Sequence, residues 1–132
     1  MGSEFVRASQ EEYDSRVVTY KEVPVVQLSP DATAHIVTGK NATLSFATVA
    51  ANANTKIHSH PAEQFMIVVK GELDAVVAGK LYRVKAGDVV KIPGGVEHAA
   101  NTLEQECQLI EVFAPARKDF EEKLQQAIAA QK

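Results

Sequence analysis

The residues best suited to chemistry lie in HSHPAEQFMIVVKG, His58 to Gly71, and around His98. In a strand, residues two apart point the same way, so His58 and His60 would offer two imidazoles to one point, with Ser59 turned away. Pro61 breaks the ladder and lets the chain turn before Gln64 enters the next run. His98 lies far along the chain, after the Pro93-Gly94-Gly95 turn, at the expected start of another strand. Three imidazoles and one oxygen donor suit a single divalent transition ion such as Zn, Ni, Fe, Mn or Co. A His-x-His pair is common on surfaces and takes its meaning from the rest of the pattern. His35 stands alone in a polar strand and is read as structural or exposed.

The elements that must position these groups are mostly strands. Ser9-Gln10-Glu11-Glu12 has the form of a capping box, which predicts a short helical turn over Ser9 to Ser15. Glu22 to Leu28, Ala34 to Thr38 and Ala42 to Ala50 read as strands, the last with Leu44, Phe46 and Thr48 on one face. Gln64 to Lys70, Glu72 to Val77, Leu81 to Val84, Asp88 to Ile92 and Leu109 to Phe113 continue the series. Gly71, Gly79, Gly87 and Pro93-Gly94-Gly95 punctuate it. Strands recurring every ~8–12 residues between turn signals indicate an all-β antiparallel sandwich or barrel. The chain closes on a C-terminal helix expected over Lys118 to Ala130, where Phe120, Leu124 and Ile128 recur four apart. That stripe is expected to pack on the outside of the sheet.

The totals narrow the function classes. The chain has 132 residues, enough for one domain with a real core. A net charge of -3 gives no basic surface for nucleic acid. No apolar run reaches the roughly 20 residues that span a bilayer, so no membrane partner is expected. Gly2-Ser3-Glu4-Phe5 matches what two adjacent cloning sites encode, so residues 1–5 are set aside as a cloning remnant. Residues 6–21 then form an N-terminal extension and 22–132 the domain. The lone Cys107 cannot close an internal disulfide and is expected to be a packed thiol in a reducing compartment, the cytoplasm.

Taken together, the histidine pattern resembles the cupin superfamily. The first cupin motif stands here as His58, His60, Gln64 and Gly71. The second stands as Gly87, Pro93, Gly95 and His98, with Asn101 slightly early in its final spacing. The resemblance spans about Val23 to Phe120 and implies a single jelly-roll β-barrel with one divalent metal ion in its mouth. By position it implies His58, His60, Gln64 and His98 as ligands. Glu63 carries the charge a metal prefers, but only Gln64 keeps the motif spacing, which leaves Glu63 a rim or supporting place. An amide ligand cancels none of the ion's charge, so the site would attract anionic ligands and act as a strong Lewis acid.

The tail adds a second group of candidates. Alternation in LIEVF places Leu109, Glu111 and Phe113 on one face. Glu111 is either a surface carboxylate on an edge strand or an inward proton carrier near the metal. Arg117 is either an exposed charge at the helix start, a partner for Glu111, or a clamp for a substrate carboxylate. This tail is similar to one branch of small cupins, which includes proteins that open unsaturated uronate rings in pectin and alginate breakdown. The branch implies Glu111 and Arg117 as catalytic groups, with Phe113 and Arg117 binding substrate. It usually carries aspartate where Glu111 stands, so the acid here is one methylene longer. The resulting expectation is a metal-dependent enzyme that isomerises or opens a small anionic sugar derivative. The alternatives are a metal-dependent dioxygenase and a non-enzymatic small-molecule binder. Cupins also commonly pair through edge strands, so a homodimer is expected, with Glu22 to Leu28 and Ala34 to Thr38 as the candidate edge.

Overall fold

A computed structural model describes residues 4–131; residues 1–3 of the expected cloning remnant, and Lys132, lie outside the described residues. Helix α1 (Gln10–Arg16) starts at a complete capping box between Ser9 and Glu12 and buries none of its side chains. A 3-10 turn at Tyr20–Glu22 replaces the first part of the strand expected from Glu22. Pro24 has no amide hydrogen for a ladder, so the strand begins one residue later.

Among the described residues nine strands follow: β1 (Val25–Ser29), β2 (Ala32–Thr38), β3 (Thr43–Val49), β4 (Glu63–Lys70), β5 (Glu72–Val77), β6 (Lys80–Lys85), β7 (Val89–Ile92), β8 (His98–Thr102) and β9 (Cys107–Ala114). They form two antiparallel sheets. One has the order β1-β2-β3-β9-β4-β7 and the other β6-β5-β8. The expected antiparallel strands are present, but the expected barrel is not closed. Beyond β8 the smaller sheet continues only as isolated bridges, Asn54 to Asn101 and His58 to His98. The segment that would complete that side carries the histidine loop and Pro61, and proline cannot sustain a ladder.

The core lies between the sheets. Ile36, Val68, Ile92 and Phe113 from the large sheet meet Leu73 and Ala75 from the small one. Helix α2 (Lys118–Ala130) runs over the expected span and buries Phe120 and Leu124, with Ile128 packed at the edge of the core. The alternation expected in β3 holds, and the face that carries Leu44, Phe46 and Thr48 is the outer one. Leu44, Phe46 and Thr48 are half-buried, and Tyr20 stacks on Phe46 at 3.9 Å. The inward face is Thr43, Ser45, Ala47 and Val49. These small side chains leave room beside the site.

Gly71 joins β4 to β5 with φ +94°, and a Cβ there would sit 2.7 Å from Cys107 Sγ and 2.9 Å from the Glu106 carbonyl. Cys107 is buried, as expected of a packed thiol, and burial pushes its pKa up. Gly71→Ala combines backbone strain with a clash against backbone, so a loss of about 1–3 kcal/mol is expected, read as a lower thermal midpoint by circular dichroism.

Candidate metal centre and its cavity

The three imidazoles come from a loop and a strand. His58 and His60 are not in a strand, as alternation would have it. They lie on a loop clamped to the start of β8. His58 and His98 exchange both backbone hydrogen bonds, at 3.0 and 2.9 Å. The Gly95 amide donates to the His60 carbonyl at 2.8 Å. Gly94 permits that approach, because a Cβ there would lie 2.3 Å from the Pro61 carbonyl oxygen. The Pro93-Gly94-Gly95 turn thus fixes both histidine segments at once.

Each ring is oriented by its own backbone. Nδ1 of His58, His60 and His98 lies 2.8 Å from the carbonyl of Lys56, Ala62 and Val96 respectively. A carbonyl only accepts, so each Nδ1 carries the proton and each Nε2 presents a lone pair. One ring nitrogen from each histidine lies within 4.8 Å of the other two. His98 Nε2 is buried with no hydrogen-bond partner. Burial, chiefly, lowers the pKa of His60 and of His98, which favours the neutral form of both rings.

Gln64 enters from β4 and is 3% exposed. Its amide nitrogen donates to Glu111 Oε2, which aims its oxygen at His60 Nε2, 3.0 Å away. Two lone pairs face each other across that gap unless a proton or a cation sits between them. A buried unpartnered nitrogen, three convergent lone pairs and an amide oxygen turned toward them form a donor set that fits a divalent transition ion. The group is polar, neutral and oxygen- and nitrogen-donating, with no thiolate. Glu63, next to Gln64, is exposed at the strand start and points away.

Glu111 faces inward from β9. Ser45 and Met66 are its cross-strand neighbours, and it lines a cavity of about 340 Å³ together with His58, Gln64, His98, Phe113 and Arg117. Burial raises its carboxyl pKa to about 7, against the opposing pull of Arg117 and the Gln64 hydrogen bond. A cation beside it would act against that rise. The residue keeps some accessible surface because the cavity reaches it. Phe113 is sealed between rings, 5.5 Å from His60 and 5.3 Å from Phe120.

Arg117 does not pair with Glu111 directly. Its Nε and Nη2 lie on Asp119, at 3.2 and 2.6 Å, and its guanidinium sits 3.9 Å over the Phe120 ring and 4.9 Å from that of Phe113. Its backbone amide donates to Thr43 Oγ1 at 2.9 Å. Asp119 therefore belongs to the site, although sequence reasoning passed over it. The signal available was an acid in the first turn of a helix, two residues past an arginine. His35 is structural: its Nδ1 lies 2.8 Å from the Val23 carbonyl and its ring meets Tyr20 edge-on.

A two-sheet antiparallel β fold with three clustered histidines beside a cavity defines a small β-protein with a possible metal site. The chain belongs to the cupin domain family, which matches residues 45–113. Among solved structures it is similar to an RmlC-like cupin from Shewanella frigidimarina NCIMB 400, at 24% identity over 80% of this chain and 95% of that one, with a TM-score of 0.74. It is also similar to KdgF from Halomonas sp., at 23% identity over 78% and 94% of the two chains, TM-score 0.71. A third likeness is to the polyketide cyclase RemF from Streptomyces resistomycificus, at 22% identity over 75% and 78%, TM-score 0.67. No curated protein matches the sequence. Among the described residues, no helix is long and apolar enough to cross a membrane.

Proposed function

We propose that this cupin is a metal-dependent enzyme that moves a proton on a small cyclic carboxylate, isomerising or opening its ring. The observation that carries the reading is a cluster of three imidazoles with oriented lone pairs, two of which line a cavity together with the buried carboxyl of Glu111 and the guanidinium of Arg117. His58, His60, His98 and Gln64 would hold the ion. Bound there by neutral groups only, it supplies undiminished positive charge for stabilising a developing oxyanion. Asp119 occupies Nε and Nη2 of Arg117, so Nη1 is the nitrogen left for a ligand carboxylate. Glu111 is placed to carry a proton between oxygen and carbon of the bound molecule. Phe113 forms part of the wall against which it rests.

The uronate branch supplies the finer form, a 4,5-unsaturated uronate, and the likeness to KdgF supports it in part. Metal-loaded protein should then remove the ultraviolet band of such a uronate faster than it decays alone. Decay at the spontaneous rate would take the sugar out of the proposal. The chain is further proposed to work as a homodimer in the cytoplasm, where Cys107 stays reduced; light scattering on the purified protein reads the mass directly.

Gln64→Glu tests the amide. The new carboxylate would cancel part of the ion's charge and face Glu111, where the wild-type amide donates a hydrogen bond. Metal content should hold while turnover falls about tenfold or more, a barrier change of ~1.4 kcal/mol. A faster enzyme would contradict the role given to the neutral ligand.

A further inference from the structure

The cavity wall changes character along the strands. Register places Thr43, Phe113 and Gln64 in one inward row, and Ser45, Glu111 and Met66 in the next. The row after that is Ala47, Leu109 and Val68, and Val49 and Ala32 pair beyond it. Leu28, Ala32, Ala47, Val49 and Leu109 all line the cavity. One end therefore carries the imidazoles, the acid and the guanidinium, and the other is hydrocarbon.

The few polar groups along that apolar end are already engaged. The Thr55 hydroxyl donates to the Ala100 carbonyl at 3.0 Å and accepts from the Ala100 amide at 2.8 Å. Ser29 Oγ accepts from the Asp31 amide at 3.3 Å. The charged residues of the lining outside the site, Lys56 and Lys123, are exposed ones. A ring bearing several hydroxyls would bury them against carbon, and each buried hydroxyl without a partner weakens binding by about tenfold or more. A hydrocarbon body in the same place gains from leaving water.

We propose that the ligand of this site is an amphiphilic anion: a carboxylate at the Arg117 and histidine end, joined to an apolar ring or chain that fills the chamber walled by Ala47, Val49 and Leu109. The inference rests on the carboxylate half of the function proposed above and narrows the body attached to it. A polyhydroxylated uronate would then bind weakly even where it is turned over.

Cyclohexanecarboxylate and glucuronate make the test, since both present one carboxylate on a six-membered ring. Titration calorimetry on the nickel-loaded protein should give cyclohexanecarboxylate at least a tenfold lower Kd. Ala47→Ser, which sets a hydroxyl on the apolar wall, should shrink that ratio several-fold. Glucuronate binding as tightly as or tighter than cyclohexanecarboxylate would overturn the inference and leave the carboxylate reading standing. An unchanged ratio in Ala47→Ser would overturn the role of this wall. Binding of neither acid to the loaded protein would overturn the inference together with the carboxylate reading.

Discussion

His98→Ala will strip the chain of its metal and leave both sheets folded. His98 is the most buried of the three histidines, and its Nε2 has no partner of its own. Its loss leaves His58 and His60, one exposed and one half-buried, with only the Gln64 amide to complete a site. Losing an outer partner of a metal ligand already costs about 10–100-fold in affinity, and losing the ligand itself should exceed that. The fold should hold, because the largest buried side chains are Phe113, Ile36, Leu73, Ile92 and Val68. Two opposing effects act on the metal-free form. The substitution removes an unpartnered buried nitrogen, which relieves ~1–3 kcal/mol, and it leaves a void where the ring packed. The metal-free midpoints of variant and parent should therefore stay within a few degrees. The parent should gain stability on metal addition, about 2.7 kcal/mol at a hundred times Kd, and the variant should gain none. Elemental analysis and paired thermal melts read both. A variant that keeps one equivalent of metal would remove His98 from the ligand set.

Much of this arrangement was legible in the sequence, for reasons that differ from residue to residue. Helix α2 keeps its expected bounds because Phe120, Leu124 and Ile128 give a clear four-residue stripe after Pro115. Gln64, Glu111 and Phe113 line the cavity; alternation put Glu111 and Phe113 on one face, and left open whether that face turned inward. His58 and His60 converge too, but by another route. Their rings are set by local carbonyls and by the Gly95 contact, not by strand geometry, and spacing alone cannot distinguish the two. The two faces of β3 were legible from alternation, but which one turns inward was not, because a site cavity takes the small Thr43 and Ser45 and leaves Leu44 and Phe46 outside. Gly94 and Asp119 were missed because their roles exist only in three dimensions. One is a close approach to Pro61, and the other is a fork on Arg117. Closure of the barrel depends on hydrogen bonds between segments far apart in sequence, which no local pattern encodes.

Glu111→Gln should abolish turnover and spare the metal. The substitution keeps the shape of the side chain and an oxygen for the Gln64 amide to bond, so the orientation of Gln64 toward His60 survives. Among the described residues it removes the one carboxyl lining the cavity that is free of an ion pair, since Asp119 is held by Arg117. A positioned acid–base group contributes about 10²–10⁴-fold, so a loss of at least a hundredfold in turnover with unchanged metal content is expected. Stability separates this chemical role from a structural one. Burial holds the Glu111 pKa at about 7, above its ordinary 4.5. Between those values the folded chain keeps a proton that the unfolded chain has released, so the carboxyl weakens the metal-free fold progressively as pH rises through that window. The glutamine cannot ionise and escapes that loss. Metal-free Glu111→Gln should therefore be more stable than the parent at pH ~8, with the advantage shrinking toward pH ~5. A structural residue would show the opposite sign, with the variant melting lower at every pH and turnover unchanged. A variant that is more stable without metal, binds metal as the parent does and is inactive is the combination expected of a buried, inward-facing proton carrier.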